Sequence, residues 1–387
     1  MRILYLTHNY PRFKGDHSGA FIQQLIRALP SSVEPYILCP HQKGLSRKEE
    51  RGNAAIYRFT YAGDEAETLA YHGKMLDALK EGLKGFALLE RFISRSASLA
   101  RRIVETEEID LVHAHWLVPA GLAARFALAG IRIPLLVSLH GTDVRLLSRL
   151  PLGRLAADFI LSKVDLALPV SRYLGTRLKK ITRMDIKCIT LPMPASGMFL
   201  SSTRRVLKRA LIGIGNLTRQ KRFDVLIRAV GILKKEGLSL ELTLVGDGVE
   251  KTGLRSLVAE LGLAGSVRFT GSLPHHHLPG VLRDAGVMVL PSVAEGFGMV
   301  LVEAQLAGLV AIGADAGGQR EIINHGETGI LVRPDDPRAL ASAIRDLYMN
   351  DEKTLRLAQA GQQAARRFLA LPAAERLANI YSSILHR

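Results

Sequence analysis

Short apolar runs alternate with longer amphipathic segments along this chain, and that alternation limits its fold more than any other feature. The run RILYLTH at 2–8 is typical of a strand, and residues 19–30 carry apolar side chains at helical spacing. Further strand-like runs lie at 110–116, 135–143, 166–171 and 186–194, separated by helical stretches that include a long tract at 73–108. Strands and helices in alternation predict βαβ units and a mostly parallel sheet.

The alternation is interrupted at 191–209, where two prolines, small residues and a basic run predict a linker. A second alternating series follows it. The 387 residues also exceed what one hydrophobic core usually holds. We therefore predict an α/β fold of two tandem Rossmann-like domains, residues 1–198 and 199–365, facing each other across a cleft. Because ligands of open α/β sheets bind beyond the carboxyl ends of the strands, we expect the site residues in the loops that follow strands.

Composition is typical of a folded globular protein and excludes a membrane-spanning one. Hydrophobic residues make up 48% of the chain and charged residues 23%. No apolar run approaches the roughly 18 residues that span a bilayer, and the N-terminus is predicted to form a strand rather than a signal peptide. Cys39 and Cys188 lack metal-ligand spacing, which indicates two thiols in a cytoplasmic protein.

The net charge of +16 favours an anionic partner, and the excess is concentrated at 144–187, with 10 Lys and Arg against 3 acidic residues. Neither zinc-finger spacing nor an RNA-binding aromatic signature accompanies it, so we expect no nucleic-acid partner. An anionic membrane surface and a phosphorylated substrate both fit the charge. A solvated basic face is the alternative, and the charge alone does not decide among the three.

The stretch SVAEGFGMVLVEAQLAG, at 292–308, predicts an anion-binding strand–turn–helix. The N–H groups at the start of its helix have no partner within the helix and suit a phosphate. Gly296 and Gly298 permit a close ligand approach. Glu295 and Glu303, which have seven residues between them, flank this cradle and could accept hydrogen bonds from sugar hydroxyls. The alternative is a structural turn with two solvated glutamates.

The other candidates follow strands in the same way. A turn containing Arg219, Lys221 and Arg222 comes after the strand that ends at Gly215 and could bind a diphosphate; basic turns are also commonly just solvated. The LVGDG sequence at 244–248 is expected to be a tight turn. The triplet His275–His277 lies in a proline-flanked loop, where consecutive histidines point in different directions, so we expect no metal site there.

In the N-terminal half, the candidate positions also stand at strand ends or helix starts. Gly19 precedes the first helix and permits either a close phosphate approach or a plain turn. His113 and His115 end one strand, and His140 and Asp143 follow the next. A histidine in a cleft can exchange a proton near neutral pH, but each of these histidines taken alone is better explained as structural.

The ordered combination of these pieces resembles the retaining glycosyltransferases of family four, which have the GT-B fold. The matching stretches are, in order, SGAF, HAHW, LHGTD, LTRQKRFDVLIRA, LVGDG, VRFTG, AGVMVLPSVAEGFG and GGQREIINHGETGILVRPDD. The resemblance covers nearly the whole chain, being strong over 211–337 and looser over 40–105. It implies that a helix at about 366–387 returns to the N-terminal domain.

The resemblance implies a nucleotide-sugar donor bound mainly by the C-terminal domain. Lys221 would bind the diphosphate, Glu303 the ribose, and Glu295 would lie near the transferred sugar. Gly19 would approach the diphosphate from the other domain, and His115 and His140 would contact sugars. The backbone donors would come from Phe297, Gly298 and Met299. Transfer would retain the anomeric configuration, with no metal and no cofactor, since the nucleotide-sugar is a substrate.

One departure from the family pattern bears on the donor. Asn216 stands where the family commonly has Arg, and an amide brings hydrogen bonds without charge; Arg219 could substitute for it. The sequence does not decide between UDP and GDP, although a UDP-sugar is the favoured donor. The usual aromatic residue before the final helix is also replaced.

These observations lead to one expected function and to its alternatives. We expect a cytoplasmic enzyme, peripheral on the inner face of the plasma membrane, that transfers a hexose-type sugar to a polysaccharide or polyprenyl-linked glycan, as in the polysaccharide and teichuronic-acid group. The basic region at 144–187 would contact anionic lipid. The alternatives are a catalytically silent nucleotide-sugar-binding partner and a phosphorylase or epimerase on the same fold.

Overall fold

The computed structural model describes residues 1–71, 82–201 and 209–386. The chain divides into two compact units, Met1–Pro194 with Ala370–Arg387, and Ala195–Leu369. These limits differ slightly from the predicted boundaries at 198 and 365. The difference has a physical reason, because Ala195 and Leu369 form a parallel bridge and the Ala195 N–H donates to the Phe368 carbonyl at 2.8 Å. The segments that enter and leave the second unit are therefore paired within it.

The first unit contains a seven-stranded sheet in the order β3-β4-β2-β1-β5-β6-β7. Its strands are β1 Arg2–Leu6, β2 Glu34–Pro40, β3 Lys48–Arg51, β4 Ala54–Phe59, β5 Leu111–His115, β6 Leu135–Leu139 and β7 Leu166–Pro169. All pairs are parallel except β3 with β4. Its helices are α1 Ala20–Arg27, α2 Leu83–Thr106, α3 Leu122–Ala127, α4 Thr142–Leu147, α5 Gly153–Leu161, α6 Arg172–Ile181 and, from the end of the chain, α13 Ala370–Leu385.

Two predicted elements of this unit differ from the structure. The helical tract expected at 73–108 is α2 from Leu83 onward, and its first part, 73–81, lies outside the described residues. The strand expected at 186–194 was wrong: this segment lies along β7 with an isolated bridge between Cys188 and Ala167, and Leu191 N–H donates to the Pro169 carbonyl at 2.9 Å. The pairing does not continue beyond Leu191, because Pro192 and Pro194 have no N–H to donate to a strand ladder.

The second unit contains a six-stranded sheet in the order β10-β9-β8-β11-β12-β13, with every pair parallel. Its strands are β8 Ala210–Ile214, β9 Glu241–Val245, β10 Val267–Gly271, β11 Val287–Leu290, β12 Val310–Ala314 and β13 Ile330–Val332. Its helices are α7 Phe223–Lys235, α8 Lys251–Glu260, α9 Leu278–Leu282, α10 Met299–Leu306, α11 Pro337–Met349 and α12 Asp351–Ala365.

Both sheets are buried on their two faces, which is why their strands read as continuous apolar runs rather than as alternating ones. Strands β5 and β6 are buried at every position, as are β11 and β12. In the second unit, Phe223, Leu226 and Leu233 of α7 join the core beneath the sheet. The strand order reverses between β1 and β5 in one unit and between β8 and β11 in the other, and such switch points open a crevice at the carboxyl ends of the strands.

Candidate active site

The loop between β11 and α10 places Glu295 beside the start of a helix. Gly298 caps that helix with a φ of 108°, a left-handed conformation that favours glycine. The Phe297 side chain is buried, with its ring edge-on to Phe368 at a centroid distance of 5.3 Å. Phe297, Gly298 and Met299 can therefore offer only backbone groups to an anion at this helix start.

A second loop holds the first one in place. A Cβ on Gly317 would lie 2.5 Å from the Glu295 carbonyl oxygen, and one on Gly318 would lie 2.3 Å from that of Gly296. The Gln319 amide donates to the Ser292 carbonyl at 2.7 Å and accepts from the Ala314 N–H at 3.1 Å. In the sequence, this GGQ stretch contributes to the family resemblance but indicates no role of its own. Its glycines are needed because two backbone segments touch here.

Lys221 and Glu295 form an ion pair that joins the loops after β8 and β11. Lys221 Nζ donates to Glu295 Oε2 at 2.6 Å, and the two side chains are 19% and 17% exposed. The Gln220 amide adds a 2.6 Å hydrogen bond to the Ala294 carbonyl. Sequence analysis selected both charged residues but did not predict that they pair, since they are 74 residues apart. A diphosphate at Lys221 would have to share this cation with Glu295.

The remaining candidates of the β8 loop lie on its surface. Asn216 and Arg219 are exposed, and the Asn216 carbonyl accepts from the Thr218 N–H at 2.8 Å. The glycines of LVGDG have a packing role: a Cβ on Gly246 would lie 2.0 Å from the Gly215 carbonyl oxygen. The loop after β9 therefore packs directly against the backbone of the loop after β8. The sequence had predicted only a tight turn at LVGDG, without this contact.

Glu303, on α10, has a partner that the sequence did not reveal. The carboxylate is nearly buried, at 6% exposed, and its Oε1 lies 2.8 Å from His275 Nε2. The His275 ring also meets the edge of Phe199 at a centroid distance of 5.1 Å. His276 and His277 contact each other, with ring centroids 4.3 Å apart. Within the triplet, His275 therefore contacts the candidate site, whereas His276 and His277 contact each other.

In the first unit, the end of strand β5 and the loop after β6 bring three imidazoles into a stack. The ring centroids of His113 and His115 are 4.7 Å apart, and those of His115 and His140 are 5.4 Å apart. His115 Nδ1 lies 3.2 Å from His140 Nε2. His113 is hydrogen-bonded to the Tyr381 hydroxyl of α13 at 2.6 Å and to Ser138 at 2.9 Å. His115 is fully buried, whereas His140 is partly exposed, so His140 is the member that can meet a ligand.

Burial keeps these imidazoles uncharged. It lowers the pKa of His113 to about 3 and that of nearby His8 to about 4, and it lowers the pKa values of His115 and His140 well below the usual value. Neutral imidazoles can exchange hydrogen bonds with sugar hydroxyls, but they hold no extra proton at neutral pH to donate as a general acid.

Asp143 fixes the geometry of both loops. Its carboxylate accepts hydrogen bonds from the backbone N–H groups of Leu117 at 3.0 Å, Gly141 at 2.9 Å and Val144 at 2.9 Å. Burial raises the pKa of this carboxyl, although the three N–H groups oppose that shift. Asp143 therefore has a positioning role, linking the loop after β5 to the loop after β6.

Gly19 is required by the protein's own backbone. It caps α1 with a φ of 66°, and a Cβ there would lie 2.2 Å from the Asn9 carbonyl oxygen. Of the two readings offered for this glycine, the structure provides direct support for the turn. An approach by a phosphate stays a prediction.

Within the described residues, one group of side chains has the proximity needed for a metal ion, namely His41, Asp64 and Glu67. The sequence analysis missed it because the three residues are far from any motif. Both ring nitrogens of His41 already have partners, Glu67 at 2.7 Å and the Leu45 carbonyl at 3.0 Å. The group is thus a hydrogen-bonded pair beside an exposed aspartate.

The basic region at 144–187 includes an apolar ridge. Leu152, which immediately precedes α5, and Leu155 and Phe159 of α5 are 69%, 63% and 43% exposed. Arg149 and Arg154 are exposed beside them, and the Arg125 guanidinium lies 4.8 Å above the Phe159 ring. None of the helices in the described ranges is long and apolar enough to cross a membrane.

Comparison with known proteins matches both units to described families. Residues 18–193 match the glycosyl transferase 4-like domain, and residues 202–364 match glycosyl transferases group 1. An uncharacterized glycosyltransferase of Methanocaldococcus jannaschii is 25% identical over 88% of this chain and 93% of its own. A GDP-mannose-dependent α-(1-6)-phosphatidylinositol monomannoside mannosyltransferase of Mycobacterium tuberculosis is 26% identical over 94% of this chain and 93% of its own.

The fold is shared with a solved structure of the Anabaena protein HepE in complex with UDP-glucose. The TM-score is 0.71 at 20% identity, over 99% of this chain and 100% of the other. With two Rossmann-like parallel sheets, and with both units matched by glycosyltransferase families, the chain belongs to the family-four glycosyltransferases of the GT-B fold.

Proposed function

We propose that the protein is a retaining, metal-independent hexosyltransferase that moves a sugar from a nucleotide-sugar to a polysaccharide or lipid-linked glycan. The observation that carries this proposal is the Lys221–Glu295 ion pair, which stands at the start of α10 beside the nearly buried Glu303. A cation, a helix N-terminus and two carboxylates are thereby brought together at the switch point of one sheet. This set of groups suits a sugar linked to a nucleoside diphosphate.

On this proposal the donor is bound in three parts. The helix start at Gly298–Val300 and Lys221 bind the diphosphate and stabilise the charge that develops as it leaves. Glu303 accepts hydrogen bonds from the ribose hydroxyls, and Glu295 does so from the transferred sugar. Lys221 and the helix start supply positive potential of the kind that a metal supplies in other transferases. The departing phosphate takes the acceptor's proton on the face it leaves, which retains the configuration.

The histidines of the first unit would act as neutral hydrogen-bonding groups. His140 would contact a sugar hydroxyl, and the buried His115 would orient it through the 3.2 Å contact between their rings. Arg219 and Asn216, both exposed, would extend the phosphate site at its solvent side.

The comparison proteins carry two different nucleotides in their names. The structurally similar HepE is described in complex with UDP-glucose, and the mycobacterial relative is named for GDP-mannose. We favour a UDP-sugar. The identity of the sugar, and membership of the teichuronic-acid group in particular, stay predictions.

The test is release of UDP or GDP from a panel of nucleotide-sugars, with and without membrane lipid extract. We expect release from a single donor that rises with lipid, and loss of at least 100-fold in the Lys221→Ala variant. The Lys235→Ala variant, at the far end of α7, is a control that should keep wild-type turnover. Donor binding without release under any condition would instead identify a silent binding partner.

The acceptor is expected at a membrane surface, and we propose that the enzyme acts in the cytoplasm on the inner face of the plasma membrane. The α5 ridge of Leu152, Leu155 and Phe159 could enter the headgroup layer while Arg149 and Arg154 meet anionic lipids. The mycobacterial relative is named for a phosphatidylinositol acceptor, which supports a lipid-linked substrate.

Vesicle co-sedimentation tests this surface. Wild type should bind vesicles containing anionic phosphatidylglycerol more tightly than neutral ones. Arg149→Glu with Arg154→Glu should weaken that binding by about 30-fold or more, since each basic residue near the surface contributes about 1 kcal/mol. Arg228→Glu and Arg268→Glu, in the other unit, make a control of equal charge change. Equal losses in the two pairs would point to net charge rather than to this surface.

A further inference from the structure

His275 contacts the carboxylate that the proposed function assigns to the ribose. It lies in the turn after β10, and its Nε2 is 2.8 Å from Glu303 Oε1. The two residues are 28 positions apart in the chain. Each belongs to the second unit, so the contact is internal to that unit.

The geometry of Glu303 makes such a partner necessary. Its side chain is 8% exposed, whereas that of His275 is 30% exposed. A nearly buried carboxylate has lost most of its water and is unfavourable without a donor. The imidazole N–H supplies one. The ring is itself held, because it also contacts the edge of Phe199 at 5.1 Å between centroids.

A carboxylate has about four lone-pair directions on its two oxygens. With His275 donating to Oε1, the remaining directions stay available for two neighbouring hydroxyl groups. A freely rotating glutamate would have to be ordered by the ligand, at a cost in side-chain entropy. A glutamate already fixed by His275 is pre-organised and avoids that cost.

We infer that His275 is a positioning residue for nucleoside recognition: it holds Glu303 so that the carboxylate can accept the two adjacent hydroxyls of a ribose. The inference rests on the proposed function, because it takes Glu303 as the ribose-binding group. It adds a residue from a different loop, one that sequence analysis had considered only as a metal ligand. His275 makes no contact with the sugar being transferred and takes no part in the chemical step.

The experiment measures the coupling between His275 and the ribose hydroxyl. Calorimetry gives the Kd of UDP and of 2′-deoxy-UDP, and of the GDP pair, for wild type, His275→Ala, His275→Phe and His275→Gln. His277→Ala is the matched control from the same turn. In wild type we expect removal of the hydroxyl to weaken binding about 10-fold, which is the effect of losing one hydrogen bond to a charged group.

In His275→Ala and His275→Phe, UDP should bind about 10-fold more weakly, and the ratio of the two Kd values should fall below about 3. The Phe variant keeps a ring against Phe199, so it separates the lost hydrogen bond from lost packing. Gln retains an N–H donor and should restore most of the wild-type ratio. In turnover assays the donor KM should rise while kcat stays within about twofold.

Two failures can be told apart. If wild type binds neither UDP nor GDP, or if Glu303→Ala binds them as wild type does, the proposed function is wrong and the inference falls with it. If wild type and Glu303→Ala behave as proposed but the His275 variants keep the full wild-type ratio, the role of His275 alone is overturned. Should the Ala variant not fold, the comparison of Phe with Gln decides the question.

Discussion

At the residue scale, Lys221 and Glu295 are each other's counter-ion, and this shapes what each substitution should do. Their 2.6 Å contact is largely shielded from water, so neither charge is fully available until a ligand rearranges the pair. Removing Lys221 leaves a carboxylate next to the proposed phosphate position, where like charges repel. Removing the Glu295 charge has the opposite effect, because it releases the lysine.

We therefore expect opposite effects on diphosphate binding. Lys221→Met should weaken UDP binding by about 10- to 100-fold, since a charge-assisted hydrogen bond is worth about 1.5–3 kcal/mol. Glu295→Gln should bind UDP at least as tightly as wild type but should transfer sugar at least 100-fold more slowly. Calorimetry with UDP and a turnover assay measure the two quantities. A Glu295→Gln variant that loses UDP would show that the glutamate holds Lys221 in place rather than competing for it.

The buried imidazoles predict a pH dependence of stability in the first unit. His8 and His113 have folded pKa values of about 4 and about 3, both lower than the ordinary value near 6.5. Below pH 6.5 these histidines bind protons in the unfolded chain but not in the folded one. The stabilisation is therefore complete above pH 6.5 and is lost as the pH falls toward the pKa values of the folded protein. For the two residues, the loss between pH 6.5 and pH 5 is about 3 kcal/mol.

Denaturant unfolding of the first unit at pH 7.5, 6.5, 5.5 and 5.0 checks this expectation. His8→Phe is the comparison, because a phenyl ring fills the same buried position and cannot titrate. The free energy of unfolding of wild type minus that of His8→Phe should decrease as the pH falls. A constant difference across the range would mean that the pKa of His8 is the same in the folded and the unfolded protein.

At the element scale, the loop that carries Glu295 is held by close backbone contact with the loop that follows β12. A Cβ on Gly318 would lie 2.3 Å from the Gly296 oxygen and 2.7 Å from Phe297 Cα, and backbone cannot move aside as a flexible side chain would. Gly318→Ala should therefore displace the start of α10. We expect UDP affinity to fall more than 10-fold, with a loss of about 1–3 kcal/mol in the stability of the second unit.

Gly265→Ala is the matched control for this prediction. A Cβ there meets nothing within 4 Å, so the same chemical change should leave UDP affinity and stability near their wild-type values. Calorimetry and denaturant unfolding on both variants supply the comparison. If both variants bind UDP equally well, the contact between the two loops does not govern the site.

Sequence could predict the elements with strong local signals, and it failed where the signal is not local. The β11–turn–α10 unit follows from its apolar strand, its glycines and its helical period. Strand β3 was missed because its residues, KEER, are charged; it is an edge strand that pairs only with β4. The contacts Lys221–Glu295 and His275–Glu303 join positions 74 and 28 residues apart, and no local pattern encodes such pairings.

At the scale of the whole molecule, the first unit is assembled from two separate stretches of chain. Helix α13, from the end of the described chain, places Tyr381 in the core, where its hydroxyl contacts His113 at 2.6 Å and Tyr5 at 2.9 Å. Leu377 and Ile380 of the same helix are also buried. The second unit, in contrast, is continuous, and Ala195 and Leu369 are bridged where it begins and ends.

Isolated fragments of the two units should therefore differ in how cooperatively they unfold. Residues 195–369 alone should unfold cooperatively, whereas residues 1–194 alone should not, because the surface beneath α13 and the hydrogen bonds of Tyr5 and His113 would be left open. Joining residue 194 to residue 370 through a short Gly/Ser linker should restore a cooperative transition, since these residues flank the Ala195–Leu369 bridge. Circular dichroism with urea measures all three. Equal cooperativity of the 1–194 fragment and the linked form would contradict this dependence on α13.

The contribution of α13 to the first unit has a consequence for biosynthesis. A ribosome delivers residues 1–194 first, but Tyr381 follows only after the entire second unit has been made. The later segment can thus fold while the earlier one is still incomplete, which reverses the usual N-to-C order of domain folding. During that interval the nascent N-terminal half exposes apolar surface and is the part of the chain that we expect holding chaperones to recognise.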